Sequence, residues 1–329
     1  MAGQPDVADV HVNALLTQLS IAFYNEPGAY VADQVFPTVY VPKKTDIYPK
    51  YDRGFFFADE GNAMLRAPGV KAVRAGFTVN KTNTYACENW AVGFAIPDEL
   101  RANVDAPFDM DRDGTLLITE LISIRRERAF AADFMAGSVW TGSSTGSDIT
   151  VGTKWDDVTS DPIADVKAQS RSIHTKIGRR PNTLLIGRIV WDRLMDHPDI
   201  LDRIKGGATP DNIAIATKAA VASLLDVERI LVGDAVYRSS AEGAATLTLA
   251  AVMDDDALLL YLPARPSLLT PAAGYTFVWE SLMAGRNAPQ FMRKYREGPE
   301  NQDVIECHTW FDHVATEPLA GAFFSDVCD

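Results

Sequence analysis

The sequence predicts an α+β fold, and three features of the chain lead to that prediction. One long helix is expected over about residues 109–136, because apolar side chains recur there at helical spacing. The segment before it, residues 41–88, is polar and aromatic, is interrupted by glycines, and shows no helical period. After the long helix, short helices alternate with short strands. With 47% hydrophobic residues, the chain can bury a sizeable core in one large or two interleaved domains.

The long helix has sequence signals at both of its ends. Its first turn carries Asp109, Asp111 and Asp113, which suit the positive N-terminal end of a helix dipole. Gly137 follows its last turn and is typical of a helix stop. At a rise of 1.5 Å per residue, the helix would be roughly 40 Å long. The residues expected to form its apolar stripe are Leu117, Leu121, Ile124, Ala131 and Met135, with Ile118, Ile122 and Ala129 beside them.

The first 88 residues are predicted to be extended. Residues 1–40 show no sustained period and are interpreted as an arm, although Val12–Phe23 could form a short amphipathic helix. Residues 41–88 contain no convincing helix, which compact domains rarely tolerate unless the segment is a long hairpin that contacts something else. Phe55, Phe56 and Phe57 lie in this polar segment, so we expect a partner chain to bury them.

The second half of the chain is predicted to be a mixed α/β region. Its first helix has a start signal at Asp161-Pro162 and a stop signal at Gly178. The expected helices are near Pro162–Ile177, Val190–Met195 and Asn212–Leu225. The expected strands are Thr183–Ile186, Arg229–Val232, Leu247–Met253, Leu258–Leu262, Tyr275–Glu280 and Asp303–Val314.

Charge and composition exclude several classes of function. The formal net charge is -13, whereas a protein that binds DNA through its phosphates needs clustered lysine and arginine. We find no secretion signal and no apolar run of about 18 residues that could span a membrane. Cys87, Cys307 and Cys328 are far apart and lack CxxC spacing, so reduced thiols are expected and no metal or redox site is indicated.

One motif has the spacing of a calcium-binding loop. The twelve residues that begin at Asp109 carry Gly114 at the sixth position, as such loops require, and their oxygen ligands would suit a hard cation. Two observations oppose this reading: Pro107 stands where an incoming helix is needed, and the ninth position is the apolar Leu117. The alternative interpretation is an acid-rich first turn of the long helix. The possible calcium ligands are Asp109, Asp111, Asp113, Thr115 and Glu120.

No catalytic motif is present in the sequence: it has no GxSxG elbow, HExxH helix, phosphate-binding glycine loop or GxGxxG fingerprint. His308 and His313 are close in sequence, but opposite parity in a strand separates their side chains, so they cannot share one ion. Asp254–Asp256 is interpreted as a solvated turn. A hydrolase that used it would need a concave pocket with convergent polar groups. The chain is therefore expected to be no enzyme and to carry no cofactor.

Four stretches carry a resemblance to a known family. They are VADQVFPTVYVPKKTDIYPKYDRG (Val31–Gly54), RAPG (Arg66–Gly69), YACENWAVGFAIPDELRANVDAPFDMDRD (Tyr85–Asp113) and RRPNTLLIGRIVWDRLMDHPDI (Arg179–Ile200). These stretches, and the order of elements around them, resemble the major capsid proteins of tailed bacteriophages, specifically the lambda-like group. The likeness covers nearly the whole chain.

The resemblance implies the Hong Kong 97-type fold and a division of the chain into segments. An N-terminal arm at residues 1–40 would lie across neighbouring subunits, and an extended β-hairpin loop at residues 41–88 would lie over the adjacent subunit. A peripheral domain at residues 89–165 would carry the long helix as its spine, and an axial domain at residues 166–275 would meet its copies at capsomer centres. Strands in residues 276–329 would complete both domains.

The resemblance also implies a function and partners. Copies of the chain would form hexamers and pentamers of an icosahedral head around double-stranded DNA, without sequence-specific binding and without a membrane. Assembly would take place in the host cytoplasm, with portal, scaffolding and possibly decoration proteins as partners. Because the arm begins almost at Met1, a separate scaffolding protein, or none, is expected. The candidate residues for contacts between subunits are Phe36, Tyr48, Tyr51, Phe55, Phe56, Phe57 and Arg66.

Other readings remain open at the level of sequence. An encapsulin uses the same fold to enclose a cargo enzyme inside a bacterium. An acidic calcium-binding protein built on Asp109–Glu120 is the alternative from a different class. Some capsid relatives cross-link a loop lysine to a neighbour's asparagine. Lys71 or Lys81 could supply that lysine, but no motif identifies the asparagine or the assisting glutamate, so this chemistry is not predicted.

Overall fold

A computed structural model describes residues 25–26, 28–59, 64–104, 108–205, 216–266, 270–280 and 290–329. Residues 1–24, most of the expected arm, lie outside the described residues. The helices are α1 Ala32–Val35, α2 Arg53–Phe56, α3 Asp98–Ala102, α4 Met110–Phe134, α5 Pro162–Ile177, α6 Arg188–Asp196, α7 Pro198–Lys205 and α8 Lys218–Leu225. The strands are β1 Thr38–Val41, β2 Thr45–Ile47, β3 Lys50–Tyr51, β4 Val79–Asn80, β5 Thr84–Ala86, β6 Glu88–Pro97, β7 Ile149–Thr150, β8 Thr183–Gly187, β9 Arg229–Gly233, β10 Val236–Arg238, β11 Leu249–Ala251, β12 Ala257–Leu260, β13 Gly274–Trp279, β14 Phe291–Glu297, β15 Gln302–Ala315 and β16 Gly321–Ser325.

The first sheet is built around the long strand β15. On one edge β15 pairs antiparallel with β6, and on the other edge it pairs with β14 near its start and with β13 near its end. β1 adds to β13 in parallel, from Thr38 beside Thr276 to Val41 beside Trp279. This sheet therefore collects strands from both ends of the chain.

The long helix α4 packs on β6 and β15 of the first sheet. Asp109 caps its N-terminus by accepting hydrogen bonds from the backbone N–H groups of Asp111 and Arg112, at 3.1 and 3.2 Å. Gly114 is required inside the helix because a Cβ there would lie 2.3 Å from the ring of Phe94. The side chains that α4 buries toward its first half are Ile118 and Ile122, and toward its second half Phe130 and Phe134.

The buried face of α4 differs from the predicted apolar stripe. Leu117 and Leu121 are exposed, and the neighbouring Ile118 and Ile122 are buried against Ile96 of β6 and Ile305 of β15. Two apolar faces compete on this part of the helix, and only the position of the sheet decides which of them is covered. Leucines therefore remain on the outer face.

The second sheet has the strand order β7-β16-β12-β8-β9 and holds the main core. Every residue of β12 is buried between β8 and β16. The helix α5 is capped by Asp161, begins with Pro162 and ends at Gly178, which has a positive φ of 71°, as the sequence predicts. The strands β14 and β16 and the helix α7 were not predicted, because their segments are short or half exposed.

Two short ribbons, β2 with β5 and β3 with β4, form the base of the extended loop, defined here as residues 41–88. Ala86, at the root of this loop, donates its backbone N–H to the carboxylate of Asp312 at 2.8 Å. The loop is therefore attached at the end of β15 that leads into the second sheet. Within the described part of the chain, no helix is both long and apolar enough to cross a membrane.

Candidate assembly surfaces

The segment from Asn25 to Phe36 is held along the long helix by two carboxylates. Glu127 is buried and accepts hydrogen bonds from the backbone N–H groups of Val31 and Ala32, at 2.9–3.1 Å. About two turns toward the N-terminus on the same face of α4, Glu120 accepts from the backbone N–H of Asn25 at 2.9 Å and from the Tyr30 hydroxyl at 2.5 Å. The start of α1 is therefore capped by a side chain of α4.

Charged groups are buried beneath this anchored segment. Burial raises the pKa of Glu127 to about 7, although its bonds from the backbone N–H groups of Ala32 and Val31 act in the opposite direction. Arg126 is also buried, and burial lowers the pKa of its guanidinium, which is paired with Asp33. Burial, together with the charge of Arg126, lowers the pKa of His313 to about 3. These groups lie where α1, α4 and β15 meet, and α1 covers them.

Phe36, one of the candidate contact residues, lies in the core of its own subunit. Its ring is fully buried in its own subunit, with ring centroids 5.1 Å from Phe130 and 5.0 Å from Phe134. Pro37 follows it and turns the chain into β1. Phe36 fills the space between α4 and Gly274.

The extended loop has an aromatic base. Tyr48 is half buried and stacks on Phe277 of the first sheet, with centroids 5.8 Å apart. Tyr51 contacts Phe56 and Phe77 at 6.0 and 5.5 Å, so the two arms of the loop meet through these rings. Of the candidate contact residues, Tyr51 and Phe56 therefore lie together, and Tyr48 is already engaged with its own subunit.

Most of the loop remains exposed. The exposed fractions of Phe55, Phe56 and Phe57 are 47%, 59% and 63%, and Arg66 is exposed as well. One described contact to the second half of the chain is the Arg53 guanidinium, which donates to the carbonyl of Lys176 at 2.8 Å. Three adjacent phenylalanines in water are a surface that a partner would cover.

A cleft of about 710 Å³ lies between the loop base and the end of α5. Its walls include Tyr48, Tyr51 and Phe57 on the loop side and Ile177 and Pro271 on the other side. None of its lining residues belongs to Asp254–Asp256, so this cleft gives no support to a hydrolase at those aspartates.

The predicted calcium ligands are not arranged as a binding loop. Asp109 caps α4, and Asp111 is paired with Arg101 and with Lys294. Thr115 and Glu120 lie further along the same continuous helix, and a rise of 1.5 Å per residue places residue 120 roughly 16 Å from residue 109. A rigid helix cannot wrap these oxygens around one cation. No group of three or more ligating side chains suited to a metal occurs within the described ranges.

His308, His313 and the three cysteines are all engaged or buried within the subunit. His308 is held by Glu306 at 3.0 Å, and His313 by the Thr276 hydroxyl at 2.9 Å, on residues of opposite parity in β15. The three cysteines are buried and free. Burial raises the pKa of the Cys87 thiol to about 12, which makes it a poor nucleophile.

Comparisons with known proteins agree with this fold. The family model described as phage major capsid protein E matches residues 143–265. The major capsid protein of Burkholderia phage BcepMu is 26% identical over 231 residues, which are 69% of this chain and 70% of that protein.

Solved structures with the same fold include a phage-related protein from Bordetella bronchiseptica. It has a TM-score of 0.68 at 19% identity, and the match covers 92% of this chain and 94% of that one. The mature capsid of bacteriophage PhiM1 gives 0.58 at 12% identity, with 96% and 92% covered. An encapsulin of Synechococcus elongatus gives 0.53 at 10% identity, with 96% of each chain covered. At such identities the structures establish the fold alone.

The fold and the sequence relatives lead to one identification. The predicted α+β fold of Hong Kong 97 type is confirmed by the capsid structures that share it. The relatives detected by sequence are phage major capsid proteins and not encapsulins. These relatives support a structural and not an enzymatic role. The chain is a structural capsid subunit, related to the major capsid proteins of bacteriophages.

Proposed function

We propose that this chain forms hexamers and pentamers that build an icosahedral phage head around double-stranded DNA. The observation that carries the proposal is the extended loop, which presents Phe55, Phe56 and Phe57 to solvent at about half exposure or more. An isolated subunit gains little from this arrangement, since exposed aromatic surface favours association. Burial against another copy would offset the cost of ordering the loop.

Each segment of the chain would have its own role in the shell. The extended loop, residues 41–88, reaches over the adjacent subunit, whereas residues 28–40 of the arm pack on their own subunit. Residues 89–165, with α4, form a peripheral domain, and residues 166–275 form an axial domain whose copies meet at the capsomer centre. Strands in residues 276–329 complete both domains, because β15 belongs to the first sheet and β16 to the second.

The charge of the chain supports a container for DNA. With a net charge of -13, the subunit repels phosphates at long range, so the genome can be packed and released without adhering to the wall. Portal, scaffolding and possibly decoration proteins would be its other partners, with assembly in the host cytoplasm before release of the virion.

Negative-stain microscopy of the purified protein tests this function. We expect capsomer rings or closed angular shells for the wild type, and a large loss of both when Phe55, Phe56 and Phe57 are all replaced by serine. Leu247→Ser is a matched control, because it removes an exposed apolar side chain outside the loop. A monodisperse monomer at high concentration would contradict the proposal.

An encapsulin shell is the second candidate, because an encapsulin shares the fold. The contents of shells recovered from the natural source separate the two functions. Double-stranded DNA inside them supports a phage head, and an enclosed enzyme without DNA supports an encapsulin.

A further inference from the structure

The cleft at the base of the extended loop has one wall from the loop and one from the rest of the subunit. Its volume is about 710 Å³, and small-molecule sites usually measure roughly 300–1,000 Å³. Contacts across it include the ion pair of Lys50 with Glu317 at 3.1 Å. The ring of Phe57 also meets the opposite wall, since it would lie 2.9 Å from a Cβ at Gly178. The two walls are therefore joined and leave room for a ligand between them.

Six aromatic rings line the cleft, and they come from both walls. Two of them, Phe56 and Phe57, are 59% and 63% exposed. Exposed ring faces favour a planar partner, because aromatic pairs gain more than the burial of the same apolar area alone. An aliphatic chain would cover the walls without this gain. The six rings are those of Tyr48, Tyr51, Phe56, Phe57, Tyr275 and Phe277.

The lining of the cleft also carries uncompensated positive charge, although the whole chain has a net charge of -13. Lys50 is neutralised by Glu317. Arg53 donates to the backbone carbonyl of Lys176, and among the described residues neither Arg53 nor Arg179 forms an ion pair. Burial and the charge of Arg53 lower the pKa of Lys176. Since a planar guanidinium both pairs with anions and stacks on rings, the cleft suits a negatively charged ligand.

We propose that the cleft binds a small aromatic anion, with its ring against the aromatic walls and its acidic group at Arg53 and Arg179. This site goes beyond the proposed shell function and does not depend on it. Because the ligand would contact both walls, it would hold the base of the extended loop against the subunit. The same loop carries Phe55, so a bound anion would restrain the part of the chain on which the proposed assembly depends.

Titration of the purified, unassembled subunit with anilinonaphthalene sulfonate, a fluorescent aromatic anion, tests the site. We expect saturable binding of one probe per subunit. Arg179→Gln should weaken binding about tenfold, since a charge-assisted hydrogen bond is lost. Arg180→Gln is the matched control, because Arg180 is paired with Asp226 and does not line the cleft, and it should stay within twofold of the wild type. Equal affinity of the two variants, or binding that does not saturate, would overturn the proposal.

Two further probes separate the charge of the ligand from its aromatic character. N-phenylnaphthylamine has the same rings without the sulfonate, so it should bind the wild type and Arg179→Gln equally. Laurate is an anion without a ring and should bind at least tenfold more weakly than anilinonaphthalene sulfonate. A loss of N-phenylnaphthylamine affinity in Arg179→Gln would refute the anion site. Laurate binding as tight as that of the aromatic anion would refute the aromatic class of ligand.

A variant that fills the cleft provides a test that leaves every charge in place. Thr270→Trp adds a large side chain to the lining and should abolish binding with an unchanged circular dichroism spectrum. Retained affinity would place the probe elsewhere and overturn the proposal. Hydrogen exchange tests the restraint on the loop: with saturating probe, the backbone amides of residues 45–51 should exchange at least threefold more slowly in the wild type, but not in Thr270→Trp. Unchanged exchange in the wild type would contradict a ligand that joins the two walls.

Discussion

Replacing Glu127 by glutamine should remove part of the pH dependence of the subunit's stability. The pKa of Glu127 is raised by burial from 4.5 to about 7 in the folded chain. At 1.36 kcal/mol per pKa unit, this difference corresponds to about 3 kcal/mol of unfolding free energy. The raised value means that the folded state holds the proton more tightly than the unfolded state does.

The direction of the effect follows from that proton. Below pH 4.5, Glu127 is protonated in both states and its contribution is fully present. Between pH 4.5 and about 7, the unfolded chain releases the proton and the folded chain keeps it, so the unfolding free energy falls as pH rises. Above about 7 the loss is complete. Asp33, Arg126, Tyr30, Tyr40 and His313 face the same junction and are unchanged in the variant.

Urea unfolding of the unassembled subunit at a series of pH values, monitored by tryptophan fluorescence, measures the contribution of Glu127 to the unfolding free energy. His313 has a lowered pKa and changes stability in the opposite direction over pH 3 to 6.5, so the informative quantity is the difference between the wild type and Glu127→Gln at each pH. We expect that difference to shift by about 3 kcal/mol between pH 4 and pH 8 in favour of the variant. Glu99→Gln, on the exposed surface of α3, is the charge-matched control and should follow the wild type. Parallel profiles for the wild type and Glu127→Gln would refute the reasoning.

Three further outcomes are expected. Phe36→Ala should lower the unfolding free energy by about 3–5 kcal/mol in urea titrations, because it empties a fully buried site; Phe55→Ala, at an exposed site, should cost far less, and equal costs would contradict the burial described above. Gly187→Ala should prevent stable folding, as judged by circular dichroism and solubility, since its Cβ would lie 1.7 Å from the carbonyl oxygen of Asp254; a soluble variant with wild-type melting would argue against this packing. Calcium at about 1 mM should leave the melting temperature unchanged, in the wild type and in Glu120→Gln alike; a calcium-dependent rise that Glu120→Gln abolishes would restore the calcium-loop hypothesis.

Local signals predicted the helices that have clear ends. The helix α5 runs from Pro162 to Ile177, as its aspartate-proline start and glycine stop indicate. The long helix runs from Met110 to Phe134, close to the expected 109–136. Such signals act within a few residues, so they are readable without any tertiary structure.

The candidate surfaces could be predicted only in part. The exposed phenylalanines of the loop were found because apolar residues in a polar, aperiodic segment have no local partner. Phe36 was assigned to the same surface but fills the core between α4 and Gly274. Sequence gives no distance between residues 36 and 130, so it could not show that their rings meet.

The sequence by itself determined the fold class, the long helix and the acidic character that disfavours DNA recognition. Only the tertiary structure decided which face of α4 is covered and that Glu127 caps α1 from 95 or more positions away. Periodicity and helix caps depend on residues that are close in sequence, and net charge is a sum over the whole chain. None of these properties requires a folded structure. Burial, long-range hydrogen bonds and the direction of a surface exist only after distant segments have packed together.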